Sequence, residues 1–258
     1  ARGEHVLLLN NDAALFPDAL ATLADAAAQQ PPPGILTLPQ YDWETGDLVD
    51  RGCLLDPFYN PVPNIDPMRS EVAMVIGACF WIGRETWELL GGFPEWFESI
   101  GEDLYLCCAT RLVGRKVEVT NVSGYLHRQG HSFGGNKVDS QNLVSSYRRR
   151  RLSERNKSYV LFIMTPPTLT WPILCTHIIL LLLEGFILSV AEMNFRPMKE
   201  IYINALTSLW QNREALREHQ RGIRKSASIE WLEYFSAFKI WPRKLTMLRK
   251  YGWPYLRG

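Results

Sequence analysis

Near residue 145 this sequence changes character in two ways at once. Before that point, short apolar runs at 5–9, 35–38 and 117–119 are each cut off by polar turn formers, the pattern of buried strands. After about residue 140, strand signals disappear and apolar residues gather in helical stretches, the longest at 173–190. Charge divides at the same place: residues 1–145 hold nine Lys/Arg against nineteen Asp/Glu, and residues 146–258 hold nineteen against eight. The pattern predicts an acidic mixed α/β part at 1–145, followed by a basic, apolar α-helical part at 146–258. With 258 residues and 47% of them hydrophobic, the chain can bury a sizeable core, and disorder is excluded.

Within the first part the order of elements is strand, helix, strand, strand, helix, strand. Phe16, Leu20, Leu23 and Ala27 recur at helical spacing, with Pro17 suited to the first turn. Residues 39–70, rich in Pro, Asp, Asn and Gly, read as a long loop or hairpin region. A strand is expected over 72–82, then a short helix "RETWELL" closed by Gly91 and Gly92. A second helix is expected from about Glu102 to Val113, and a strand at 117–119. In the second part "YRRRRLSERNK" reads as a basic helix, and Trp231, Phe235, Phe238 and Trp241 fall roughly on one helical face.

Five cysteines, without CxxC spacing, point to neither a disulfide framework nor a zinc site, and fit a reducing, cytosol-facing location. The aromatics form no recognisable nucleic-acid module, and the acidic part would repel phosphate, so nucleic acid is not an expected partner.

Three groups of polar residues stand out. "VLLLNNDA" ends a strand in Asn10, Asn11 and Asp12, where a carboxylate can hold a hard cation and an amide can meet a sugar hydroxyl, or where both simply cap a turn. Glu102 and Asp103 follow Gly101 at a helix start; they can complement the helix dipole, or one can serve as a general base. His127, in "YLHRQGHS", can ligate a divalent metal when neutral or can stand solvated on a loop.

Taken in order, "LLLNNDA", "GACFWIGRETWELLGGFPEWF", "GEDLYL" and "GHS" resemble the family 2 glycosyltransferases of the GT-A fold, nearest the bacterial rhamnosyltransferase-like branch. The resemblance covers about residues 2–135. It implies a partial GT-A mixed sheet and inverting transfer of a sugar from a nucleotide-diphospho-sugar, UDP- or dTDP-linked, to a lipid-linked or glycan acceptor. It implies Mg²⁺ or Mn²⁺ held by Asp12 and His127, with Asn10 near the ribose. Asp103 would be the general base with Glu102 beside it, and Gly77, Ala78, Trp96 and Phe97 would line the acceptor side. Tyr105 stands where the family's "EDxDL" pattern has a second acid. Family members begin with a βαβα unit that binds the nucleotide, and "ARGEHVLLLNNDA" resembles the segment closing that unit, so a nucleotide-binding segment is expected upstream. The competing expectation is a non-catalytic, membrane-associated or scaffold remnant of such an enzyme.

The 173–190 run has three readings: a buried helix or homo-oligomer interface, a helix lying on a membrane, or a span. Eighteen residues rise about 27 Å, near the minimum needed to cross a bilayer. Glu184 interrupts the run, and Arg148–Arg151, Arg155 and Lys157 precede it, a cluster suited to anionic lipid. Together these give an expected place at the cytoplasmic face of a membrane.

Overall fold

A computed structural model describes residues 2–29, 34–128, 137–139 and 142–257. Gly130, His131 and Ser132, the last motif of the resemblance, lie outside the described residues. In chain order the elements are β1 (His5–Leu9), β2 (Ala13–Leu15), α1 (Ala19–Ala28), β3 (Ile35–Thr37), β4 (Gln40–Asp42), β5 (Leu48–Asp50), β6 (Cys53–Leu55), β7 (Pro61–Pro63), β8 (Cys79–Gly83), α2 (Arg84–Leu90), α3 (Glu102–Leu112), β9 (Val117–Val119) and β10 (Tyr125–His127). They continue with β11 (Lys137–Asp139), β12 (Asn142–Ser146), α4 (Tyr147–Met164), α5 (Pro167–Ala191), α6 (Asn204–Gln211), α7 (Arg213–Ser226), α8 (Trp231–Phe235), α9 (Arg243–Tyr251) and β13 (Tyr255–Arg257). A π-helical turn, Met198–Ile203, leads into α6.

The fold is mixed α/β, with mixed sheets. One sheet runs β1-β8-β3-β9, in which β8 is antiparallel to both neighbours and β3 is parallel to β9. A second runs β2-β10-β4-β5, with β10 parallel to β4 and antiparallel to β2. The strands of the first sheet are apolar because both faces are covered: Ile35, Phe80, Ile82 and Val117 are fully buried. The 39–70 region is built of hairpins, β4–β5 and β6–β7.

Three expectations are corrected. The strand expected over 72–82 is only Cys79–Gly83. Val72–Val75 is buried, but its backbone bonds gather on two residues, three with Cys53 and one with Val117, making an isolated bridge instead of a strand, and the chain then turns at Gly77 and Ala78. Strands do recur after residue 140, since β12 pairs with β11 and with the C-terminal β13. The aromatic face of 231–241 is not one helix: α8 stops at Phe235, and Phe238 instead bridges to Leu55 of β6. Backbone bonds to a strand edge replaced the helical ones there, which period alone does not reveal.

The largest apolar cluster crosses the 145/146 division. Leu106 and Cys107 of α3 share it with Tyr159 of α4, Leu216 of α7 and Tyr234 of α8. The basic cluster before α5 is largely engaged within the molecule. Arg155 bonds Glu98, Lys157 bonds Glu154, and Arg150 pairs with Glu184.

Candidate active site

β1 and β8 pair in register, with Leu9 opposite Cys79, so the NND segment leaves the sheet beside Gly77 and Ala78. The Asn10 N–H donates to the Ala78 carbonyl at 3.0 Å, and the Ala13 N–H donates back to the Asn10 carbonyl at 3.1 Å, making a tight turn. That turn carries Asp12. β2 then pairs with β10, placing Ala13 opposite His127. Asp12 Oδ1 lies 3.3 Å from His127 Nε2, and both side chains are largely buried.

Burial holds the His127 imidazole below its usual 6.5, against the pull of the Asp12 carboxylate, so the ring is neutral at pH 7. A neutral ring is the ligating form. Two cis ligands on one cation, each at about 2.1 Å, sit about 3 Å apart, so the observed 3.3 Å fits a shared divalent ion. The donor set of one carboxylate and one imidazole suits Mn²⁺ better than Mg²⁺. Among the described residues no group of three or more His, Cys, Asp or Glu side chains forms a metal cluster.

Asp103 comes to the same turn from the other side. The Gly77 N–H donates to Asp103 Oδ2 at 3.0 Å, and the Leu104 N–H donates to Oδ1 at 2.7 Å. Gly77–Ala78 is therefore a hinge of backbone bonds with the NND turn on one side and the carboxylate on the other. The loop before α3 is unusual. Glu98, Ile100 and Gly101 all have positive φ, and for Ile100, which is β-branched, the conformation is strained. Fully buried Asn156, on α4, holds the loop: its Nδ2 donates to the carbonyls of Phe97 and Ser99, both at 2.9 Å, and of Ile100 at 2.6 Å.

Burial raises the Asp103 carboxyl above its usual range, opposed by its two backbone donors. Glu102 is pushed up to about 7, first by burial and then by the charge of Asp103. Arg149, from α4, faces the pair and favours their charged forms. Both adjacent carboxyls are thus held above the ordinary carboxylate range, which makes their charged forms stronger bases.

The remaining expected residues divide. Gly77 and Ala78 form the hinge itself, and a Cβ on Gly77 would meet Asp103 Oδ2 at 4.0 Å. Trp96 is half-buried, with one face stacked on His219 of α7 at 5.0 Å. Phe97 is 0% exposed, so its ring supports Trp96 and Tyr105 and does not reach a cleft. Sequence reasoning missed Trp43 and Arg128. With Asn11, Asp12 and Ala13 they line a cleft of about 210 Å³. The Arg128 guanidinium lies 4.6 Å from the Trp43 ring centre. Arg128 directly follows His127 in the sequence, the one signal that could have marked it.

No family model matches this chain, and no curated protein matches it. Among solved structures it is similar to the crystal structure of GalNAc-T7 with UDP, GalNAc and Mn²⁺, at 13% identity and a TM-score of 0.45. The match covers 62% of this chain and 32% of that one, so this chain spans about a third of that structure's length. The likeness is too slight to transfer a fold or an activity.

Proposed function

We propose that this chain carries the metal and acceptor portions of an inverting GT-A glycosyltransferase. The enzyme moves a sugar from a UDP- or dTDP-sugar to a lipid-linked or glycan acceptor at the cytoplasmic face of a membrane. One observation carries the reading: Asn10 bonds Ala78 while Asp103 bonds the adjacent Gly77, with His127 against Asp12 on the turn between. A cation-binding pair and a raised carboxyl thus flank one two-residue hinge.

Asp103, fixed by two N–H donors, accepts the acceptor hydroxyl proton as that oxygen bonds to the anomeric carbon and the bond to the diphosphate oxygen breaks. Burial keeps the base basic, with Glu102 beside it. Asp12 and His127 would hold Mn²⁺ or Mg²⁺, which when bound offsets charge on the departing diphosphate. Arg128, which lines the cleft beside Asp12, would meet phosphate oxygens of the donor, and Asn10, at the start of the turn, would meet a donor hydroxyl.

The test is a screen of nucleotide sugars with the full-length protein, reading Mn²⁺-dependent release of nucleoside diphosphate, with Asp103→Asn alongside. A positioned base contributes about 10²–10⁴-fold, so the variant should lose most turnover and keep nucleoside-diphosphate binding. Equal turnover in the variant would remove Asp103 from the role. No Mn²⁺-dependent thermal stabilisation by any nucleoside diphosphate would favour a non-catalytic remnant.

A further inference from the structure

Helix α5 is patterned inside out. Its buried stripe is small or polar: Thr170, His177, Gly185 and Ser189 lie inward beside Leu174, Leu181 and Leu188. Gly185 is inward because Tyr202 and Met198 fill the space its Cβ would take, at 2.6 and 2.7 Å. The large apolar side chains point out, with Trp171 57%, Ile179 58%, Leu183 52%, Phe186 61% and Val190 60% exposed. A helix this long and apolar can cross a bilayer by length and composition, yet only 33% of its most apolar window is buried, unlike the core helix of a soluble domain. Its one carboxylate near the middle, Glu184, is turned inward and neutralised by Arg150 and Lys244, which leaves the outer face without charge.

A span is incompatible with what α5 packs on. α4 runs antiparallel along it, joined by Ser158 to His177, Arg150 to Glu184 and Tyr147 to Glu192. A bilayer that took α5 across would have to take Arg148–Arg151 of α4 with it. A second copy of the chain is also disfavoured, because pairing on this face would bring together two halves that each hold nineteen Lys/Arg against eight Asp/Glu. An anionic surface meets that charge. Arg196 and Lys199, both exposed, follow α5, and Arg249 and Lys250 end α9, which Lys244 ties to α5.

We infer that α5 lies in the plane of an anionic membrane, its outer face sunk among the acyl chains and its inner face on α4. An in-plane helix of this kind sits about 5–10 Å into the headgroup boundary along its whole length. The inference is independent of the sugar-transfer reading, since lipid binding is read without turnover.

The native chain offers a clean background. Cys175, on α5, is exposed, and the other four cysteines are buried. With Cys175→Ser, an environment-sensitive fluorophore is placed by Ile179→Cys or by Val190→Cys. The protein is then mixed with vesicles of phosphatidylcholine containing phosphatidylserine, and with vesicles of phosphatidylcholine alone. Both labels should brighten on the anionic vesicles and be quenched alike by lipids spin-labelled at a shallow acyl position. A span separates the two positions by roughly 16 Å in depth, so strong deep quenching at 179 with little at 190 would overturn the in-plane geometry. Leu183→Asp with Phe186→Asp should weaken vesicle binding by more than about tenfold while leaving the thermal midpoint in solution unchanged. No binding to either vesicle, together with a dimer by light scattering that this double variant makes monomeric, would assign the face to a second copy and sink the proposal.

Discussion

Glu102 and Asp103 sit side by side at the start of α3, and burial drives both toward the protonated form. For Glu102 the folded value is about 7 against an ordinary 4.5. As pH rises through that window the unfolded chain releases this proton first, while the folded protein still holds it. The folded state binds more protons there, so its stability falls as pH rises and levels off above about 7. Asp50, also buried and raised to about 7, contributes with the same sign. Glu102→Gln removes one of these contributions, so the loss of thermal midpoint across the window should be smaller in the variant. Asp103→Asn removes the charge that helps to raise Glu102, so the window over which stability falls should shift to lower pH in that variant. Matching profiles in that variant and the native protein would mean that the pair does not titrate as a pair. Asp12, Asp103 and His127 could be singled out in the sequence because each stands in a local motif with few chemical uses, and the fold sets Asp12 against His127 and Asp103 on Gly77. Trp43 and Arg128 were not, because their shared cleft is made by the pairing of β10 with β2 and β4. Phe97 was misplaced because an aromatic in a loop looks the same in sequence whether it faces a cleft or the core.

At the scale of elements, the loop 98–101 matters most, because it aims α3. Residues held at unfavourable backbone angles cost about 1–3 kcal/mol each and persist only where their surroundings over-determine them. Here one side chain from α4 supplies much of that constraint. Asn156→Leu keeps the volume but leaves three carbonyls of the loop without this donor. The Phe97 carbonyl keeps the Ser99 N–H and the Arg155 guanidinium as donors, so only the carbonyls of Ser99 and Ile100 lose this partner. A buried acceptor without a partner costs about 1–3 kcal/mol, and denaturant unfolding should show a loss of about 2 kcal/mol. If the loop relaxes, kcat should fall while nucleoside-diphosphate affinity holds, since the NND turn bonds to Ala78 and not to this loop. The helices and short buried strands of the first part were legible from apolar runs and from Gly91, which closes α2 in the left-handed region. What could not be read was any element whose partner is far away. β13 is a strand because β12 offers it an edge, and 236–241 is not a helix because β6 does the same. α5 was read as apolar, but which of its faces turns inward is decided by Tyr202, well beyond its end, and by Arg150 of α4, far before Glu184 in the chain.

At the scale of the molecule, five charges tie the end of the chain to its middle. Glu154 of α4 accepts from Lys157 and from Lys244 of α9, both at 2.7 Å, and Arg150 lies 3.4 Å away. Glu184 of α5 pairs with Arg150 and with Lys244 at 2.6 Å. Asn60, from the hairpin region, accepts from Lys157 at 2.7 Å, which brings the first part of the chain into the same cluster. Three cations thus face two carboxylates. The imbalance makes the members unequal. Lys244→Met leaves two cations against two anions, and the lost side chain was 35% exposed, so water can fill its place. Glu154→Gln leaves three cations against one anion around a carboxylate that was only 2% exposed. Breaking a buried pair by removing one partner costs about 3–5 kcal/mol because a charge is left uncompensated. Glu154→Gln should therefore lose stability in that range by denaturant unfolding, and Lys244→Met distinctly less. Adding Lys244→Met to Glu154→Gln should then restore part of the loss, since it removes one of the stranded cations. An order opposite to this, or a double variant whose losses simply add, would mean that the cluster acts as separate surface pairs and that α9 is held by its apolar contacts alone.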